Sequence, residues 1–336
     1  MKFGVLQFFS WPGRRVALET VFDRALERIQ LMDRTGYDAV WLAEHHFTEY
    51  SVCPSVHLMG MYVAERTERL RIGTAVSLAA FYHPLRLAEE VAMLDVLTGG
   101  RVNWGAGRGF DPTEFRSFGV PLPESRPRFQ EAVDIVVAAW GNERLTWHGR
   151  YWDFDDVEVL PKPRQKPHPP VWVAAGSDEA AAWAGERGYT VMLGPHNSFG
   201  DIAARHDLFY ERLRAGNHSS EGRVIPMTRF LAVADTDREA EKIARSGAGW
   251  VVATYKNKQK GTENPVETVV TADGRVRVLD PIDRYLENVA VWGSPERVVD
   301  TIQMLRETMY LDYLMLAPLS HSSLITFTEK VLPRLL

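Results

Sequence analysis

Ala39-Val40-Trp41-Leu42-Ala43-Glu44-His45-His46-Phe47-Thr48-Glu49-Tyr50 sets a short apolar run directly against an acid, two imidazoles and an aromatic ring. A short apolar run bounded by polar residues suits a buried strand. In a barrel of alternating strands and helices the C-terminal strand ends form the floor of the active site, so polar groups there can meet a substrate. Upstream, Lys2 to Phe8 reads as strand one, and Leu18, Val21, Phe22, Ala25, Leu26, Ile29 and Met32 recur at helical spacing before Gly36 closes the helix. Downstream, Pro54 opens a predicted helix to about Arg66, and Arg71 to Leu78 is strand three. His83-Pro84 starts a helix with Leu87, Val91 and Leu94 inward, and Gly99-Gly100 ends it before strand four, Arg101 to Ala106.

The alternation continues with interruptions. Phe129 to Trp140 forms the next helix, and Trp147 to Val159 reads as an inserted hairpin with a proline-rich exit through Pro161, Pro163, Pro167, Pro169 and Pro170. Strand five is Val171 to Ala174, with a helix over Asp178 to Arg187. Strand six is Thr190 to Leu193, followed by a helix from Phe199 to about Arg214, and strand seven is Val224 to Ala234. A helix near Asp237 to Ala248 precedes the least regular segment, Tyr255 to Pro281, which reads as a lid or as a solvated loop. Ser294 caps a helix opened by Pro295, Tyr313 to Leu316 is strand eight, and Leu324 to Leu332 is the closing helix. Eight strands alternating with helices predict an α/β fold, a (β/α)8 TIM barrel. The expected organisation is one domain over residues 1–336 with insertions at about 141–170 and 255–290.

Composition excludes several classes. The 336 residues are 45% hydrophobic and 25% charged with a formal charge of −5, and no basic block suggests nucleic acid or an anionic membrane. Cys53 is the single cysteine, so no internal disulfide and no cysteine-based zinc site can form, and a reducing cytoplasmic setting is expected. Phe3 to Phe9 is too short for a signal core and no apolar run is long enough to span a bilayer.

Adjacent strand residues point to opposite faces, which argues against one metal held by both His45 and His46, and no metal is expected. His45 is the candidate acid/base group because imidazole titrates near neutrality, while His46 keeps a structural reading. Gly105-Ala106-Gly107-Arg108-Gly109-Phe110 ends strand four, where its glycines admit a ring or phosphate and Arg108 adds a donor fork. A dinucleotide fingerprint fails there, because the spacing is G-x-G-x-G and Asp111-Pro112 follows in place of a helix opening. Ser125-Arg126 begins the next helix, and Gly176-Ser177-Asp178 precedes another, where free N–H groups favour a phosphate and Ser177 also suits an ordinary cap. These anion-friendly strand ends point to a phosphorylated cofactor.

The chain resembles the bacterial luciferase-like flavin-dependent monooxygenases, and the luciferase α subunit in particular. The resemblance rests on Met1-Lys2-Phe3-Gly4, WLAEHHFTEY at 41–50, Gly73-Thr74-Ala75, His83-Pro84, Gly105 to Gly109, Ala184 to Gly188 and Gly293 to Glu296. It implies an oxidoreductase that takes reduced FMN from a separate NAD(P)H:flavin reductase and uses O2 as co-substrate, through a flavin C4a-hydroperoxide, to oxygenate a small apolar molecule such as an aldehyde or ketone. A cytoplasmic homodimer is expected.

On that resemblance His45 is the catalytic residue, Arg108, Arg126 and Ser177 with neighbouring Gly176 hold the phosphate, and Glu44 lies near the flavin edge. By the same resemblance, Ala75-Val76 matches a pair joined by a non-proline cis peptide on which the isoalloxazine packs flat. Gly107 stands where the luciferase α subunit carries a reactive cysteine, which argues against light emission. Phe8, Trp11, Phe47, Tyr50, Phe81, Phe110 and His196 are the candidate pocket rings. The competing functions are an F420-dependent hydride transferase of the same barrel family and a non-catalytic flavin-binding subunit.

Overall fold

The computed structural model describes residues 1–255, 268–270, 276–309 and 311–336. In chain order the first half contains β1 (Lys2–Gln7), α1 (Leu18–Arg34), β2 (Ala39–Leu42), α2 (Val56–Ala64), β3 (Arg71–Thr74), α3 (Pro84–Leu97), β4 (Val102–Ala106), α4 (Pro112–Ser117) and α5 (Ser125–Gly141). Then come β5 (Leu145–His148), β6 (Asp153–Val157), β7 (Val171–Ala174), α6 (Asp178–Glu186), β8 (Thr190–Met192), α7 (Phe199–Ala215), β9 (Pro226–Val233) and α8 (Asp237–Thr254). The last part holds β10 (Thr268–Val270), β11 (Val276–Val278), α9 (Pro281–Asn288), β12 (Ala290–Gly293), α10 (Pro295–Met309), β13 (Tyr313–Pro318) and α11 (His321–Thr326).

The parallel sheet runs β9-β13-β1-β2-β3-β4-β7-β8, and a single bridge between Leu193 and Met227 brings β8 back to β9. These are the eight strands that the sequence pattern predicts, so the ring is a (β/α)8 barrel. Both faces of each strand are covered, which is why the strands read as nearly continuous apolar runs. Phe3, Val5, Val40, Leu42 and Ile72 face the helices, while Leu6, Ala39, Trp41, Tyr313 and Met315 fill the interior. Each fully buried aliphatic side chain contributes about 1.5–3 kcal/mol.

The interior is packed with large rings set against glycines. Trp41 donates its indole N–H to the Tyr313 hydroxyl at 2.8 Å and meets Trp172 edge-on at 5.0 Å. Space for these rings exists only because neighbouring strands carry no side chain. A Cβ on Gly73 would lie 2.2 Å from the Trp41 ring, and one on Gly4 would lie 2.4 Å from the Tyr313 oxygen.

Several boundaries differ from the sequence reading. The second helix starts at Val56, where the Ser55 hydroxyl accepts the Leu58 N–H, and not at Pro54. A helix does open after the Gly-rich stretch: Asp111 caps α4 by accepting the Thr113 N–H at 2.8 Å, with Pro112 at its first position. Asp111 and Glu114 have the spacing of a capping box, a helix-start signal that is present in the sequence. A ninth strand, β12, pairs with the C-terminal half of β9, and α9 precedes it. The hairpin within 141–170 is present as the antiparallel pair β5–β6. Of the predicted lid, residues 256–267 and 271–275 lie outside the described residues.

Candidate active site

After β2 the Ala43 N–H still follows the ladder to the Gln7 carbonyl of β1, and the backbone then turns back on itself, the His45 N–H reaching the Cys53 carbonyl. Strand alternation has ended by then, and Phe47 sits in the left-handed region at φ 56°. The two histidines turn to different acids. His46 Nε2 lies 3.1 Å from Glu44 Oε1, and its ring meets Phe118 edge-on. His45 Nδ1 lies 3.8 Å from Glu114 Oε1, with its ring parallel to Phe8 and edge-on to Tyr50 and Phe110.

Glu44 is buried, and its carboxylate accepts the Tyr82 hydroxyl at 3.1 Å as well as the contact with His46. One oxygen also takes the Leu78 N–H at 3.4 Å. Burial, and then the Glu44 charge, push the Cys53 thiol up to about 12, so it is an inert thiol under ordinary conditions.

Beside this group, the Ala75–Val76 peptide is cis. The chain continues into Ser77, whose backbone bridges to β4: its N–H donates to the Gly105 carbonyl and its carbonyl accepts the Gly107 N–H. A Cβ on Gly107 would lie 2.3 Å from a Val76 methyl, so the approach of these two loops demands glycine. Ser77 is held from the other side by His57, with Nε2 3.0 Å from the Ser77 hydroxyl and Nδ1 2.9 Å from Glu90. The His57 hydrogen bond, then Arg86, pull the Glu90 carboxyl down to about 2 against the opposing effect of burial.

A carboxyl depressed in the folded state stabilises above its unfolded value, and that contribution is lost as pH falls through the folded one. Between about pH 4.5 and pH 2, Glu90 therefore adds acid sensitivity of about 1–2 kcal/mol, solvent screening of this partly exposed carboxylate holding it below the full value. Glu90→Gln is expected to flatten this part of the stability curve, measured as the shift in urea midpoint between neutral and acid buffer for the two proteins.

At the ends of β4 and β7 a cationic corner forms. Arg108 Nη1 donates to the Ser125 hydroxyl at 3.3 Å, and Arg126 pairs with Glu179 in the first turn of α6. Burial, and then the neighbouring Arg126, hold Arg108 below the usual guanidinium value, while Glu179 acts in the opposite sense. Two guanidiniums and one solvent-exposed carboxylate leave an unbalanced positive charge. Ser177 caps α6 by accepting the Ala180 N–H at 3.3 Å, and the space over Gly176 is open. The corner fits a phosphate, which can replace the exposed Glu179 carboxylate and receive N–H groups from a helix start.

The rings divide into two groups. Phe8, Tyr50, Phe110 and His196 gather with His45, and Tyr255 joins them by stacking on His196 with centroids 3.8 Å apart. Tyr285 of α9 shares a 2.8 Å hydrogen bond with His196 Nδ1 and extends this wall. Trp11, Phe47 and Phe81 do not belong to it. Trp11 donates to the Val16 carbonyl, Phe47 is 64% exposed, and Phe81 packs on Phe115 and Phe118. Tyr50 is buried and its hydroxyl finds no hydrogen-bond partner among the described residues.

The sequence pattern does not single out Glu114, His57, Tyr82 or Tyr285, and it marks Tyr255 only as the start of an irregular segment. Of these only Glu114 carried a local signal, the Asp111-Pro112-x-Glu114 helix start. The others reach the strand ends through tertiary packing.

Comparison with known proteins decides the family: the luciferase-like monooxygenase model matches residues 1–311. The chain belongs to the luciferase-like monooxygenases. A flavin-dependent trigonelline monooxygenase, oxygenase component, from Acinetobacter baylyi is 29% identical over 318 residues, covering 93% of this chain and 88% of that one. The uncharacterized protein y4wF of Sinorhizobium fredii is 38% identical over 196 residues, and the match spans 58% of this chain and 57% of that protein. The monooxygenase RslO1 from Streptomyces bottropensis superposes over the full length of both chains with a TM-score of 0.86 and 28% identity.

Two more distant structures share the fold. They are the oxygenating constituent of 3,6-diketocamphane monooxygenase from Pseudomonas putida in complex with FMN, with a TM-score of 0.80 and 21% identity over 100% of this chain and 99% of that one, and an F420-dependent secondary alcohol dehydrogenase, with a TM-score of 0.75 and 19% identity over 98% of each. The luciferase-like monooxygenases thus include a flavin-dependent member named as an oxygenase component.

Proposed function

We propose that this protein is the oxygenase component of a two-component monooxygenase that takes reduced FMN from an NAD(P)H:flavin reductase and oxygenates a small organic substrate with O2. The observation that carries the reading is the corner of Arg108, Ser125 and Arg126 beside the N-terminus of α6, at the strand ends that also carry His45. Reduced flavin supplies the two electrons that send one oxygen atom to water and the other to the substrate. Arg108 and Arg126 bind the phosphate, and the Ser177 hydroxyl and the free N–H groups of α6 complete the grip. Val76, opposite Gly107, offers a flat apolar support to the flavin ring. His45 moves a proton at its ring nitrogen. The wall of Phe8, Tyr50, Phe110, His196 and Tyr255 favours an apolar or aromatic substrate and keeps water away from the reacting atoms.

An F420-dependent hydride transferase is the second reading, favoured by the shared fold with the alcohol dehydrogenase. Anaerobic titration separates the two. Reduced FMN is expected to bind about 30-fold or more tightly than reduced riboflavin, which lacks the phosphate, and Arg126→Ala is expected to remove most of that difference. Tighter binding of F420 than of FMN overturns the proposal.

A further inference from the structure

Glu114 is fully buried at the strand ends, yet nothing in the proposed binding of phosphate or substrate uses it. Its Oε1 accepts the backbone N–H of His46 at 3.0 Å and lies 3.8 Å from His45 Nδ1. Its Oε2 is shielded from solvent and has no hydrogen-bond partner among the described residues. A buried carboxylate with an open acceptor calls for an explanation, because such groups are nearly always satisfied. The His46 ring cannot supply one, since it is turned to Glu44. His45 is the imidazole that faces this carboxylate.

The carboxylate is also held in place. Its helix is capped by Asp111 and started by Pro112, and Phe115, next along that helix, packs edge-on against Phe81 at 4.9 Å. A neutral imidazole carries one N–H, and the carboxylate that faces one ring nitrogen decides where that proton sits. A contact of 3.8 Å is longer than a hydrogen bond, and contacts of this kind tighten when a ligand fills the site.

We propose that Glu114 is a positioning residue that selects the Nδ1–H tautomer of His45 and so leaves the Nε2 lone pair, on the far edge of the ring, as the proton acceptor. This rests on the reading of His45 as the acid/base group. The nearest named analogy in chemistry is the carboxylate that fixes the tautomer of a catalytic histidine in hydrolases.

The test is a long-range proton–nitrogen NMR correlation on the flavin-free, nitrogen-15-labelled protein under alkaline conditions where imidazoles are neutral, with the His45 signals identified by their loss in His45→Asn. The expected result is an Nδ1–H ring in the native protein and a shift toward the Nε2–H form in Glu114→Gln, whose amide oxygen can still accept the His46 N–H. An Nε2–H ring in the native protein, or an unchanged tautomer in Glu114→Gln, overturns the inference. The native measurement decides even where the variant fails to fold.

In turnover, Glu114→Gln is expected to lower kcat about tenfold with reduced-FMN affinity within about threefold of native, and Glu114→Asp to recover part of the loss. Should His45→Asn leave oxygenation intact, the acid/base reading of His45 fails, while the tautomer result still judges the role of Glu114.

Discussion

Replacing His45 by asparagine is expected to lower the rate of substrate oxygenation about 100-fold or more, with binding of reduced FMN changed by no more than about threefold. The separation follows from where the groups lie. On the proposed reading, phosphate affinity would come from Arg108, Arg126 and the start of α6, whereas His45 stands among Phe8, Tyr50 and Phe110 and against Glu114. Asparagine keeps a polar group in that wall but cannot exchange a proton near neutral pH. Anaerobic titration of reduced FMN gives the first quantity. Rapid mixing with oxygenated buffer and substrate gives the second, read as the rate of product formation. An asparagine variant that oxygenates at the native rate removes His45 from the chemistry.

Gly107→Ala is expected to destabilise the fold by about 2–3 kcal/mol and to weaken flavin binding, because the new methyl would lie 2.3 Å from Val76 Cγ2. Something must move, and the strand-end segments of β3 and β4 are tied together there by hydrogen bonds between Ser77 and Gly107 and between Ala79 and Gly107. Arg108 is the next residue, so a shift of this loop displaces a guanidinium of the cationic corner. Shortening the facing side chain tests the cause: in the double variant Val76→Ala, Gly107→Ala most of the lost stability should return. Urea unfolding of the native protein, both single variants and the double variant completes the cycle. A double variant as unstable as the sum of the singles would assign the effect to something other than this contact.

The strands were legible because each is a short apolar run ended by glycine, proline or polar residues, and both faces of a barrel strand are buried, so the pattern is strong. The hairpin Leu145 to Val157 was legible for a related reason, its polar alternation and proline-rich exit. The missing pieces were those with weak local signals. Helix α4 is only six residues long, too short for hydrophobic periodicity, although its cap was present in Asp111-Pro112. Strand β12 has four residues and sits directly before the Ser294-Pro295 helix start, which drew the reading to the helix.

For the site, Arg108, Arg126, Ser177 and the His45-His46 pair stood out as polar groups at strand ends, and the structure brings the first three to one corner. The same logic overreached with Trp11, Phe47 and Phe81, because a ring near a strand end can face a helix, the solvent or the cleft with no change in sequence signal.

The sequence by itself therefore determined the barrel, the order of its strands and which polar residues lie at their C-terminal ends, since burial periodicity and capping are local properties of the chain. Only the tertiary structure decided which acid faces which histidine. Glu44, two residues before His46, takes that ring, while His45 turns to Glu114, nearly seventy positions away. That choice depends on how the loop after β2 folds against α4, a contact between segments distant in sequence that no local pattern encodes.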